Sequence, residues 1–271
     1  MFKELTTPLA VQHKPVTLFA LGVFFSSIAI LLSILIFNNQ GGINTIILSV
    51  LAFIPLLYTS IKREEHYDAT HNRERTLLKQ HGKVIFFLLF IFLGNVVSFF
   101  GWSLLLPSHL STPLFEMQHR AIITTQQHIT GSSINPEDTL LPILHKNFSV
   151  MLFAFLLSIF FGFGSLYIVI WNASVVAIAM TTFVKTSMSP LGISIPLSFL
   201  RYLTHGLPEI IGFFIAGLAG GIMYIAFIRG DLTRAHAHTI YKDILALTIY
   251  ACFFIIMAGL IEVYVTPLFF P

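Results

Sequence analysis

Charge is the scarcest ingredient of this sequence. Only 10% of its 271 residues are Asp, Glu, Lys or Arg, where a soluble domain carries about 25%. Between Lys146 and Lys185 there is none at all, and an apolar run of that length stays out of water only inside lipid or a very large core. A soluble domain of ordinary composition is excluded. Cysteine is nearly missing too: Cys252 alone, inside an apolar run, rules out an intrachain disulfide. There is no Walker A, G-x-S-x-G or dinucleotide fingerprint. His205 and Glu209 lack the second histidine of a zincin, and the eleven histidines have neither Cys partners nor metal-ligand spacing. No catalytic residue, cofactor or metal is therefore expected. The net charge of +3, gathered in a few loops, offers no nucleic-acid surface.

What is present is apolar. Hydrophobic residues make up 56% of the chain, 28 of them Phe, and the mean hydropathy is +0.85. A spanning helix needs about 20 apolar residues, and charge-free windows place the spans. Residues 15–37 form the first, with Pro15 in a first helical turn. NNQGG at 38–42 turns the chain, and 43–58 return as the second. A mixed-sign polar segment, 62–83, precedes a third span over 84–106. Residues 108–145 are hydrophilic for this chain. Within them Leu114, Phe115, Ala121 and Ile122 recur at near-helical spacing, which predicts a helix on the membrane surface. The fourth span runs over 148–171, 172–206 is ambiguous, and 207–228 and 244–267 complete the set. The fold class is thus all-α, a polytopic integral membrane helix bundle of six or seven spans with a broken or re-entrant segment at about 172–206. The whole of 1–271 reads as one integral membrane domain. The uninterrupted first span, with no A-x-A-like site after it, reads as retained rather than as a leader.

Orientation follows from short-loop Lys and Arg. Residues 62–83 carry Lys62, Arg63, Arg73, Arg75, Lys79 and Lys83, whereas 108–145 have only Arg120. The N-terminus and the basic loop (59–83) are expected in the cytoplasm and 108–145 outside, in a multi-pass protein of the cell membrane. Counting charges does not decide between six spans and seven, nor the side of the C-terminus.

Ionisable groups at membrane depth are costly and face the bundle interior. Arg201, His205, Glu209 and Glu262 qualify, and Asn172 raises the same question. In RYLTHGLPEIIGFF, Gly206 and Pro208 predict a helix ending near Thr204 and another starting at Pro208. Glu209 would then meet the free N–H groups of a first turn, with His205 close by in sequence. One reading is a proton or ion site in a broken helix; the other is a structural break neutralised by Arg201 or His205. Asn172 reads as the end of the fourth span, satisfying carbonyls or capping the next helix. Glu262 is placed to snorkel or to pair with Arg201, and Asn95 to bond between helices. Gly162, Gly164, Gly217 and Gly221 mark close helix approach within the chain, although a homo-oligomer stays open. The two N-x-S matches, at Asn147 and Asn172, read as chance.

NFSVMLFAFLLSIFFGFGSLYIVIWNAS, HGLPEIIGFFIAGLAGG and LIEVYVTP together resemble the stage II sporulation protein M family, in particular its archaeal members. The resembling positions are Asn147, Gly162, Gly164, Asn172, His205, Gly206, Glu209, Gly217, Gly221, Glu262 and Pro267, so that 146–271 form a family-like core. The resemblance implies an integral membrane protein without known catalysis. The family's namesake anchors peptidoglycan-degrading enzymes during engulfment, whereas this chain carries no hydrolase motif. Two functions follow as expectations. The first is a scaffold or anchor in the bilayer for partner proteins, with 62–83 and 108–145 as its contact surfaces. The second is a transporter or channel around His205 and Glu209.

Overall fold

The computed structural model describes residues 14–37, 42–55, 77–130, 136–162, 164–233 and 237–269. Among them the ordered elements are all helical. The NNQGG turn and most of the basic 59–83 loop lie outside the described residues. The chain divides into two compact units, Met1–Leu114 and Phe115–Pro271.

In the first unit, α1 (Pro15–Phe37) begins as the charge-free window predicts. Pro15 needs no N–H in the first turn, and Thr17 and Leu18 return their N–H groups to the Lys14 carbonyl. Helix α1 buries only a narrow stripe, with Leu18, Gly22, Ser26, Ala29, Ile30 and Ser33 at helical spacing. The stripe faces α3 (Leu77–Leu105). Gly22 and Gly94 meet there so closely that a Cβ on Gly22 would stand 2.9 Å from the Gly94 Cα. Ser98 shares a 3.0 Å hydrogen bond with Ser27, and Trp102 Nε1 donates to Ser27 Oγ at 3.0 Å. Asn95 departs from expectation. It is fully buried, yet its amide nitrogen donates to Ile91 O of its own helix at 2.8 Å. Helix α2 is described over Gly42–Pro55, along the predicted second span, and residues 56–58 lie outside the described residues. Its Phe53 meets Phe25 edge-on, with ring centroids 5.3 Å apart. Helix α4 (Ser108–Leu114) ends the unit.

In the second unit, α5 (Glu116–Thr130) precedes α6 (Pro136–Phe161), α7 (Gly164–Thr186) and α8 (Leu191–Arg229). The chain then passes through a 3-10 turn (Asp231–Thr233) and α9 (Ala237–Leu260) into a π-helical turn (Ile261–Val265) and α10 (Thr266–Phe269). Six helices among the described residues are long and apolar enough to cross a membrane: α1, α3, α6, α7, α8 and the continuous run from α9 to Phe269.

One expectation is corrected here. The span predicted at 148–171 is two helices. Gly162 takes φ +67° and ends α6, its N–H bonded to Ser158 O at 2.9 Å, as a left-handed C-terminal glycine does. The buried Ser158 hydroxyl then accepts the Ser165 N–H at 3.0 Å and caps α7. An apolar run without polar markers conceals a turn of this kind. The segment 172–206 contains the expected break, at 187–190 between two full-length helices, with Pro190 just before α8.

A helix does form within 108–145, α5, and it docks on α7. Phe115 and Gln118 are buried, and Gln118 Nε2 donates to Ser174 Oγ of α7 at 3.1 Å. Helix α8 is the hub, packed against α6, α7 and α9. A Cβ on Gly217 would strike Ser165 of α7, and one on Gly220 would strike the Phe155 carbonyl of α6. A Cβ on Gly212 would come within 3.0 Å of Ile255 on α9. Gly221 is looser, with the Gly162 carbonyl 3.6 Å away. Close approach through small residues is how helices associate in lipid.

Candidate functional site

The polar residues of the second unit gather where α6, α8 and the π turn meet. Helix α8 has 39 residues, about 58 Å at 1.5 Å per residue and roughly twice the hydrocarbon thickness. It runs unbroken through Gly206 and Pro208, contrary to the predicted break. Pro208 withholds one backbone donor from the Thr204 carbonyl, and a membrane helix tolerates that loss when neighbours and nearby hydroxyls compensate. The Thr204 hydroxyl donates to the Leu200 carbonyl one turn earlier. Glu209 therefore stands near the middle of a continuous helix. It meets neither free N–H groups nor a helix end, so its partners come from other elements.

Those partners are specific. Glu209, half-buried, lies within electrostatic reach of Glu262 and Lys146. Asn147 of α6 sits beside its carboxyl. Asn147 is only 3% exposed, and its amide nitrogen makes no hydrogen bond of ordinary geometry. His205, half-buried one turn before Glu209, feels the charges of Glu262 and Arg201. Its Nδ1 lies 3.3 Å from Thr266 Oγ1. Arg201 places its guanidinium 5.4 Å from the centre of the Phe183 ring on α7, a cation–π contact, and Tyr202 meets the same ring edge-on.

Glu262 reaches the cluster through the π turn. There the Thr266 N–H bonds five residues back to Ile261 O, and the Thr266 hydroxyl donates to the same carbonyl at 3.1 Å. Such widened turns recur at functional sites.

Arg201, His205, Glu209 and Glu262 thus come together as a linked group. Asn172 does not cap a helix, because α7 continues past it to Thr186. Its amide nitrogen donates to Ile168 O on its own helix at 2.8 Å. Lys146 and Thr266 belong to the site and were missed; their roles arise only when α6 and the π turn pack on α8. Asn147 had a signal, since it opens the family-like pattern. Among the described residues no three His, Cys, Asp or Glu side chains are grouped to hold a metal ion. Glu262 links the two halves of the cluster, His205 with Arg201 and Glu209 with Lys146, an arrangement suited to pinning helices or to binding a proton.

Outside the spans, His119 on α5 is held below the usual histidine range by loss of surrounding water and then by the positive charge of Lys185.

Fold and cluster define a polytopic helical membrane protein with an ionisable seam. The chain belongs to the stage II sporulation protein M family: the model of that family matches residues 83–267, more than half of the chain. No curated protein and no solved structure matches it.

Proposed function

We propose that this protein is a non-enzymatic scaffold that anchors partner proteins at the cytoplasmic membrane. Its N-terminus and the basic 59–83 loop face the cytoplasm, and the 108–145 side faces out. Membership in the stage II sporulation protein M family carries this reading, because the resemblance implies an anchoring role for the namesake. The peptidoglycan-degrading partners of that namesake are not transferred to this chain. The loop's six Lys and Arg residues make it the primary contact surface on the cytoplasmic side. Cross-linking in native membranes followed by affinity recovery tests the proposal. A reproducible set of co-purifying proteins that shrinks when the loop's basic residues are changed to Gln supports it; recovery no greater than from a control membrane protein overturns it.

The assembled cluster of His205, Glu209, Glu262 and Lys146 favours a second reading, a transporter or channel. Solute or proton flux in proteoliposomes, abolished by Glu209→Gln in a folded protein, would establish that reading in place of the first.

A further inference from the structure

We propose that His205 is a proton-binding site, with Thr266 as the positioning residue that keeps Nε2 open to receive the proton. The argument starts from the hydroxyl of Thr266, which has one hydrogen to give. Its oxygen lies 3.1 Å from Ile261 O and 3.3 Å from His205 Nδ1. A carbonyl can only accept, and it is the nearer of the two, so the hydroxyl hydrogen goes to Ile261. Toward His205 the Thr266 oxygen then offers only lone pairs, and Nδ1 must carry the hydrogen. A neutral imidazole has a single N–H, so Nε2 is left as the bare acceptor of the ring. The π turn makes this arrangement, since the five-residue closure sets the Thr266 hydroxyl beside both Ile261 and His205.

The charges around the ring suit an exchangeable proton. Glu262 faces it from the π turn and Arg201 from its own helix. One turn on, Glu209 is answered by Glu262, Lys146 and Asn147, and from α7 Phe183 lies beneath Arg201. When hydronium gives its proton to Nε2, the products are water and an imidazolium, with the Glu262 carboxylate as a counter-charge. Asn147 of α6, only 3% exposed, sits beside the Glu209 carboxyl. This inference stands apart from the scaffolding proposal, which partner recovery tests separately.

The test is ring-nitrogen NMR on the full chain in lipid nanodiscs with 15N-labelled histidine, the His205 signals being identified by their loss in His205→Gln. We expect a neutral ring protonated at Nδ1 that gains a second N–H on acidification while the helical circular dichroism persists. Thr266→Val should move the hydrogen to Nε2, and Thr266→Ser should restore the original form. An Nε2–H ring in the unsubstituted protein overturns the proposal, as does an unchanged tautomer in Thr266→Val or a ring that stays neutral until the helices melt. Should Thr266→Val fail to fold, the tautomer and titration of the unsubstituted protein and of Thr266→Ser decide the matter.

Discussion

The two units close their helix seams with different chemistry. In Met1–Leu114, glycine stands on both sides of the α1–α3 contact, at Gly22 and Gly94, and the seam's side-chain bonds join the neutral groups of Ser27, Ser98 and Trp102. In Phe115–Pro271, Gly212, Gly217 and Gly220 of α8 face Ile255, Ser165 and Phe155, and Gly259 of α9 faces Leu144 of α6. The second unit also carries ionisable groups in its seam. The first shows that small residues and neutral bonds suffice to pack these helices in lipid. The charged groups of the second are thus more than packing demands, and that excess marks the candidate site.

The sharpest way to break the comparison is to overfill each seam. Gly94→Leu would drive its side chain into the Phe19 carbonyl and the Gly22 backbone, and Gly220→Leu into the Phe155 carbonyl. Each should cost ~3 kcal/mol, at the upper end for overpacking, as read by reversible unfolding in mixed micelles. If only one is destabilised, the seams are not equally tight. Gly162→Ala comes next, at about 1–2 kcal/mol for a left-handed residue that gains a Cβ. It must also displace the Tyr224 ring, 2.8 Å from the new methyl. Trp102→Phe should be milder, about 0.6 kcal/mol for one interhelical hydrogen bond in a membrane, and Ser27→Ala added to it should cost about as much again, because it also removes the Ser98 bond.

The smallest effect is one of pH. His119 is held below its ordinary 6.5, so as pH falls through that value the unfolded chain takes up the proton first. Stability is then fully present above about 6.5 and declines as the pH drops toward the lower folded-state value. The decline is slight because His119 is exposed. His119→Gln should flatten this part of the stability profile, and an unchanged profile would remove the contribution.

How far the sequence revealed these features depended on polar markers. Helix α1 was legible to its ends because Lys14 and Asn38 bracket a charge-free window, and α3 was nearly so. The α6–α7 turn was not, because Gly162 and Gly164 sit in an unbroken apolar run where glycine reads equally well as a packing residue. Pro208 misled in the other direction: in water Gly-x-Pro ends helices, whereas here α8 continues and Glu209 loses the helix end assigned to it. Arg201, His205, Glu209 and Glu262 were singled out by their cost in lipid alone. Lys146, flanking an apolar run, and Thr266, an uncharged residue beside a proline, carried no such signal. Their part in the site is created by the π turn and by the packing of α6 on α8.

The scaffolding account is tested most directly by quantitative recovery of cross-linked partners from native membranes, comparing the unsubstituted chain with folded Glu209→Gln. The account predicts the same partners in equal yield, since anchoring does not pass through the ionisable seam. Partners lost from the folded variant, or absent from both, would contradict it.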